Sequence, residues 1–332
     1  MGYDSVRGRI VLFTGTPAET WEWDGATWVR RATSGPSARI GSRMAFDAAR
    51  QRMVLFGGSV ESGATPIFHN DTWMWDGNAW TLAATTGPGP RRAHAMAYDP
   101  ISQTVIMHGG AISQPSLAYY QDTWAWNGTA WQQRITPNMP AQRDWHTLAF
   151  DPSLGEVVMF GGLFTPPTQS FDTTFRLGPT GWSQIMTVGP TSRGTQAMCL
   201  DSQRQRVIMF GGLSLVTGRL GDTWDFDGTR WREIASSGPG ARQHVMMAFD
   251  EARGQTVLFG GSTSGGVPGD TWVWTYSVCT SDYNCDGIVD FFDYLDFVDV
   301  FSSNGPGADF NRDDVVDFFD YLDFVDAFST GC

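Results

Sequence analysis

The chain alternates short apolar runs with glycine-rich turns, and the pattern recurs six times. A run such as Met53-Val54-Leu55-Phe56, closed by a glycine pair, is too short for a helix and predicts a buried strand. The pairs are Gly57-Gly58, Gly109-Gly110, Gly161-Gly162, Gly211-Gly212 and Gly260-Gly261, with Gly15 alone in the first copy. Ahead of each run, a small-aromatic-Asp or related triplet ends at Asp4, Asp47, Asp99, Asp151, Asp201 or Asp250, a period of 43 to 52 residues. After each pair comes a loop of variable length, then a strand that opens on Asp-Thr-Trp at Asp71, Asp122, Asp222 and Asp270. Its alternation, as in Trp73-Met74-Trp75, has the period of a half-buried strand. Asp24-Gly25, Asp76-Gly77, Asn127-Gly128 and Asp227-Gly228 follow, each ahead of another Trp, and predict two-residue hairpin turns. A Gly-Pro-x-x-Arg segment ends four of the repeats, and Met139-Pro140 leads into Arg143 in a fifth.

Four short strands in about 50 residues make one propeller blade, and these residues resemble the kelch repeat, the unit of galactose-oxidase-like propellers. The resemblance implies a mainly β fold, with a six-bladed propeller over residues 1–277. Fourteen of the fifteen Trp fall at repeat positions, where packing between blades explains them; Trp145 is the exception. Repeat six stops after Trp272-Val273-Trp274 without an outer strand, which predicts an exposed edge. The opening Met1-Gly2-Tyr3-Asp4 matches the middle of a later repeat. An upstream segment is therefore expected, carrying any export signal and the strand that completes the last blade.

Charge divides the chain in two. The net charge is −13, yet the segment from Cys279 onward holds thirteen Asp against one basic residue, Arg312, so the rest is nearly neutral. Such a body has no basic field for nucleic acid. All 22 basic residues are Arg, which excludes Schiff-base chemistry through a side-chain amine. No apolar run approaches the roughly 18 residues of a membrane span. Cys199 lies in an apolar strand, whereas Cys279, Cys285 and Cys332 sit in the acidic segment. A unit that small benefits from a disulfide, and an oxidising compartment is expected; which pair forms is open.

The acidic segment, residues 278–332, carries a ligand pattern twice. Asp282, Asn284, Asp286, Ile288 (through its carbonyl), Asp290 and Asp293 have the spacing of an EF-hand loop, with Gly287 at the sharp turn. Asp309, Asn311, Asp313, Val315 (carbonyl), Asp317 and Asp320 repeat it, with Asp314 in place of the glycine. Two Ca²⁺ sites are expected, the second weaker. The ten residues from Asp290 and from Asp317 are identical, so the unit is a tandem duplication. Asp at the last ligand position, one helix after each loop and the terminal Gly331-Cys332 resemble the GC-type dockerins of exported bacterial proteins. The resemblance implies an exported, extracellular or surface protein, anchored by a cohesin-like or cell-surface partner. At the partner-contacting positions, dockerins carry small polar residues, whereas this chain has Phe291-Phe292 and Phe318-Phe319. That departure points away from a standard cohesin.

In the propeller, Arg39, Arg91, Arg143, Arg193 and Arg242 stand eight residues before their repeat's Asp. A ring of guanidinium groups suits an anion, while an Arg present in each of these repeats equally suits a brace within each blade. The loops after the glycine pairs carry His69, Tyr119, Tyr120 and Phe164, an aromatic rim for a carbohydrate or protein ligand. No nucleophile triad or phosphate loop is present. The reading is a non-catalytic binding or scaffold protein. Its alternatives are a carbohydrate-active propeller enzyme, mutarotase- or oxidase-like, and a structural envelope component.

Overall fold

The computed structural model describes residues 1–61, 65–114, 116–165, 168–235, 238–275, 281–283, 289–303, 305, 308–310 and 315–330. It divides into two units, Met1–Trp274 and Thr275–Cys332, a boundary just ahead of the expected one. The first unit is a six-bladed β-propeller.

Each blade is an antiparallel sheet whose strands lie side by side in chain order. Blade one holds Gly2–Asp4, Arg9–Phe13, Thr20–Trp23 and Trp28–Ala32; blade two Arg43–Asp47, Arg52–Phe56, Thr72–Trp75 and Trp80–Ala84. Blade three holds Ala95–Asp99, Thr104–His108, Thr123–Trp126 and Trp131–Arg134; blade four Thr147–Asp151, Glu156–Phe160, Thr174–Gly178 and Gly181–Ile185. Blade five holds Ala197–Asp201, Arg206–Ser214, Gly218–Phe226 and Trp231–Ala235, and blade six Met246–Asp250, Gln255–Phe259 and Thr271–Thr275. The first strands form a closed circuit in which each meets the next and the sixth meets the first. Both faces of a blade are covered by its neighbours. The second strands are therefore apolar on both sides, and Met53 through Phe56 are at most 1% exposed.

Polar bonds pin the blades together. The indole N–H of each outer-strand Trp donates to the Thr that opens the third strand of the preceding blade. Trp80 bonds Thr20 at 2.7 Å, Trp131 bonds Thr72 at 2.8 Å, Trp182 bonds Thr123 at 2.9 Å and Trp231 bonds Thr174 at 2.9 Å. Trp28 reaches Thr271 at 2.8 Å and joins the first blade to the sixth. Blade six has three strands among the described residues and no outer-strand Trp, so no indole bonds Thr223 of blade five. Its third strand leaves Trp272 and Val273 each 42% exposed.

The glycine pairs work at the same junctions. Gly58 N–H donates to Arg91 O of the next blade (2.8 Å), and Gly57 lies under that carbonyl with φ 65°. A Cβ on Gly57 would stand 2.6 Å from the oxygen, which leaves no room for a side chain. The Asp-Gly turns are longer than expected. Trp23 pairs with Trp28, Trp75 with Trp80 and Trp126 with Trp131, leaving four residues between. The reason is the Asx side chain, since Asp24 Oδ1 accepts from both Ala26 N and Thr27 N and builds a wider loop.

The second unit contains two helices, α1 (Phe291–Ser302) and α2 (Phe318–Thr330). Asp290 caps α1 by accepting from Phe292 N, and Asp293 Oδ2 accepts from Asp290 N in return, a capping box. Asp317 and Asp320 make the same two bonds at α2. Phe297 and Phe324, both fully buried, stack at 4.1 Å between centroids as the heart of a small core. Among the described residues, no helix is long and apolar enough to cross a membrane.

The junction bonds predict a contrast. Thr174→Val strands the buried Trp231 indole N–H and is expected to cost about 1–3 kcal/mol in urea unfolding, whereas Thr223→Val, which strands no indole, is expected to stay within about 0.5 kcal/mol. Equal losses would remove the junction bond from the account of stability.

Candidate functional site

The five Arg do not form a ring of free cations. Each guanidinium is bound inside its own blade, where Nη1 donates to the carbonyl of Gly57, Gly109, Gly161, Gly211 or Gly260 at 2.9–3.1 Å. Four of them also grip a carboxylate: Arg39 with Asp71, Arg91 with Asp122, Arg193 with Asp222 and Arg242 with Asp270. The Nη1–Oδ1 distances are 2.5–2.8 Å and all five side chains are at most 3% exposed. Burial opposes ionisation of Asp71, Asp122 and Asp222, yet the Arg forks and the Trp indoles hold these carboxyls below the ordinary range. The sequence carries both halves of the brace, the repeated Arg and the repeated Asp-Thr-Trp. Where the other four meet a carboxylate, Arg143 meets a hydroxyl, that of Thr173 at 3.1 Å.

The rim aromatics separate into two roles. Tyr120 lies 3.8 Å beneath Arg91, and His69 is half-buried with its imidazole pushed towards neutrality, first by burial and then by Arg39. Tyr119 and Phe164 meet at 4.8 Å and, with Gln142 and Leu117, line a shallow cavity of about 290 Å³ between blades three and four. Thr165 N donates to Tyr119 Oη at 3.0 Å.

A larger cavity of about 580 Å³ lies on the axis, at the end where the first strands begin. The residues just ahead of five first strands are joined by a run of backbone bonds. Ala93 N donates to Gly41 O, Trp145 N to Ala93 O and Thr195 N to Trp145 O at 2.8 Å, and His244 N to Thr195 O at 2.9 Å. All five residues have positive φ, between 55° and 68°. Gly41 adopts this freely, but Trp145, Thr195 and His244 carry the steric cost of about 1–2 kcal/mol that L-residues meet there. All three of these residues line the cavity.

Three side chains gather in the cavity. The Arg43 guanidinium stands 5.2 Å over the Trp145 ring, and the His244 imidazole meets that ring edge-on at 4.5 Å. Desolvation lowers the Arg43 pKa to about 10; the group remains cationic at neutral pH. Desolvation and the Arg43 charge push His244 down to about 4, although it remains accessible through the cavity. Glu61, paired with Arg92, joins the lining. Beside Trp145, burial raises the Asp144 carboxyl to about 7 against the pull of Arg92 and Arg43. Sequence reading passed over Arg43, Trp145 and His244 because it followed what recurs. Their signal was the opposite one. Arg43 stands where other blades have Ala95, Thr147, Ala197 and Met246, and Trp145 is the one Trp outside the repeat.

In the second unit, Asp282, Asp290, Asp293, Asp309, Val315, Asp317 and Asp320 are described, whereas Asn284, Asp286, Ile288, Asn311 and Asp313 lie outside the described residues, as do Cys279, Cys285 and Cys332. Asp293 and Asp320 are fully buried, and Asp282 is 5% exposed. Among the described residues no three His, Cys, Asp or Glu side chains gather as a metal centre. Phe291, Phe292, Phe318 and Phe319 are each at least 63% exposed, two matching apolar patches at the helix starts.

Asp144 sets a pH dependence. Its folded pKa of about 7 lies above the ordinary 3.8, so between those values the folded chain holds a proton that the unfolded chain has released. Its contribution to stability is therefore full below pH 4 and declines towards pH 7, by about 4 kcal/mol at most. Asp144→Asn is expected to match the wild type below pH 4 and to exceed its melting temperature by a margin that grows from pH 4 to pH 8. A constant offset across that range would overturn the assignment.

No protein-family model matches the chain. A solved structure described as "Structure of YjhT" is similar over 78% of this chain and 89% of that one, with TM-score 0.63 and 14% identity. At that identity the likeness is one of fold, and it agrees with the six-bladed propeller of the first unit.

Proposed function

We propose that this is a non-catalytic binding protein, whose kelch-type propeller takes a ligand in the axial cavity and whose dockerin-like second unit holds calcium and docks to an anchoring partner. The observation that carries the propeller half is the Arg43–Trp145–His244 cluster. A cation over an aromatic face, beside a neutral imidazole, in about 580 Å³ suits a sugar-sized ligand bearing an anionic or polar group. The residues that brace blades recur, and those that face this cavity do not, which separates framework from recognition. The exported setting rests on the dockerin resemblance.

A glycan and peptide array probed with the full chain in calcium tests this reading. Arg43→Ala and Trp145→Gly install residues that sibling blades tolerate at these positions, so they are expected to fold and to weaken binding at least about tenfold. Silence from the folded wild type would favour a purely structural envelope component. A second reading, a mutarotase-like enzyme, draws on the Glu61–Arg92 pair in the same lining, an acid and an Arg at the mouth. Accelerated interconversion of sugar anomers, lost in Glu61→Gln, would select it. For an oxidase reading, Cys199 packs with Ile208 and Val245 between blades five and six, where burial raises its thiol pKa.

For calcium, the buried carboxylates Asp282, Asp293 and Asp320 occur in a unit whose one basic residue is Arg312, which fits a cation. The first ion would be held by Asp282, Asn284, Asp286, Ile288, Asp290 and Asp293, and the second by Asp309, Asn311, Asp313, Val315, Asp317 and Asp320. Calorimetry on the chelator-treated chain is expected to show two calcium ions bound. Asp293→Asn and Asp320→Asn are each expected to lose one, while Asp296→Asn, on the exposed side of α1, keeps both. Absence of binding heat together with an unchanged circular dichroism spectrum would reject the calcium half. The paired patches Phe291-Phe292 and Phe318-Phe319 suit an apolar partner surface, in place of the polar contacts of a standard cohesin.

A further inference from the structure

Four blades of this chain show what their buried Arg is built to hold, and blade four lacks it. In blades two, three, five and six the guanidinium is oriented identically. Nε donates to the carbonyl two residues earlier, Nη1 to the glycine carbonyl, and the outer edge grips both oxygens of an Asp. Arg143 keeps the first two bonds, to Ala141 O at 3.0 Å and Gly161 O at 2.9 Å. A planar group fixed at two corners must present its third in the same direction. There, however, the position of Asp71, Asp122, Asp222 and Asp270 is taken by Thr173. Asp172 has moved one residue earlier, into an exposed position.

The consequence is a cation without a carboxylate. Thr173 Oγ1 accepts from Nη1, and among the described residues Arg143 forms no ion pair. The hydroxyls that also receive Nη2 in two siblings, Ser37 and Thr191, have Ala141 as their counterpart. The Arg143 side chain is nonetheless buried to 1% exposure, and desolvation lowers its pKa to about 9. Phe171 lies 4.0 Å and Phe175 5.5 Å from the guanidinium carbon as an apolar wall. The missing position borders solvent, because the sibling carboxylates are 19–35% exposed. Among the described residues, Nη2 of Arg143 thus meets no carboxylate, and the neighbouring Thr173 oxygen is already engaged as an acceptor.

We propose that Arg143 and Thr173 form a carboxylate-binding notch, in which the carboxyl head of a small organic acid replaces the Asp that the other blades supply from within. Burying a cation without its partner is costly, and an incoming carboxylate relieves that cost with the fork geometry the chain uses four times over. Planar formate and acetate reproduce the carboxylate head that the sibling Asp side chains present to the same fork, and tetrahedral sulfate does not. The notch lies within blade four and stands independently of the axial cavity.

Thermal unfolding of the full chain at fixed calcium, in sodium acetate or sodium chloride of equal ionic strength, tests the notch. The wild type is expected to melt several degrees higher in acetate, with a gain that grows logarithmically with acetate concentration. Thr173→Asp fills the notch from within. It is expected to melt higher than the wild type in chloride and to lose the acetate-specific gain. An acetate gain of equal size in both proteins, or none in the wild type, would overturn the proposal. Saturation-transfer NMR on the wild-type chain gives a reading that needs no variant. Transfer to the acetate methyl is expected, displaced by formate and not by sulfate, and its absence would equally overturn the notch.

Discussion

The propeller depends on a hydrogen bond from an indole to a threonine hydroxyl. A flat four-stranded blade that buries both faces offers its neighbours only apolar surface, which sets no unique register between sheets. The Trp–Thr bond supplies one. It is buried, so misalignment leaves an indole N–H without an acceptor, and it joins the outer strand of one blade to the third strand of the blade before. The same Trp fills the space between blades, packing edge-on against Phe56 and Phe160 in two of them. One residue thereby serves as spacer, filler and lock. The glycine pair and the Arg segment of the next blade complete the junction nearer the axis.

This division of labour explains what was legible in the sequence. Repeat count, strand order and the small helical unit could be read because each repeating residue answers a need that recurs: Gly57 for its close carbonyl, Trp131 for Thr72, Arg91 for Asp122. The role of the Arg was ambiguous because a guanidinium suited to a ligand carboxylate is equally suited to an internal one. Only the three-dimensional meeting of Arg39 with Asp71, 32 residues away, shows which it holds. The four-residue turns were misjudged for a local reason, since Asp24 spends its side chain on two backbone amides.

The axial cluster was hidden for the converse reason. Arg43, Trp145 and His244 come from three different repeats and are brought together only when the ring closes. Within its own repeat each is a single departure from pattern. The left-handed backbone at Trp145 and His244 is likewise invisible in sequence, since neither residue type favours it. Thr173 belongs with these departures. One residue's shift in an Asp-Thr-Trp strand removes a carboxylate and leaves the cation it served.

The bond between Trp28 and Thr271 bears on how such a ring comes apart. Open arrays of repeats fray from their ends, because a terminal unit has one neighbour. Here the terminal blades are each other's neighbours, and their junction, which no peptide bond spans, retains the indole lock. The junction without the lock is that of blades five and six, where the chain itself runs continuously from one sheet to the next. Covalent and non-covalent ties are thus distributed so that no seam lacks both. Opening either seam therefore breaks hydrogen bonds as well as packing: the Trp28–Thr271 indole bond between blades one and six, and the backbone bonds Gly212 N to Arg242 O and Arg242 N to Leu220 O between blades five and six. Blades five and six, if parted, stay tethered by the chain and re-close quickly, whereas the first and sixth must find each other again across a separation of 243 residues.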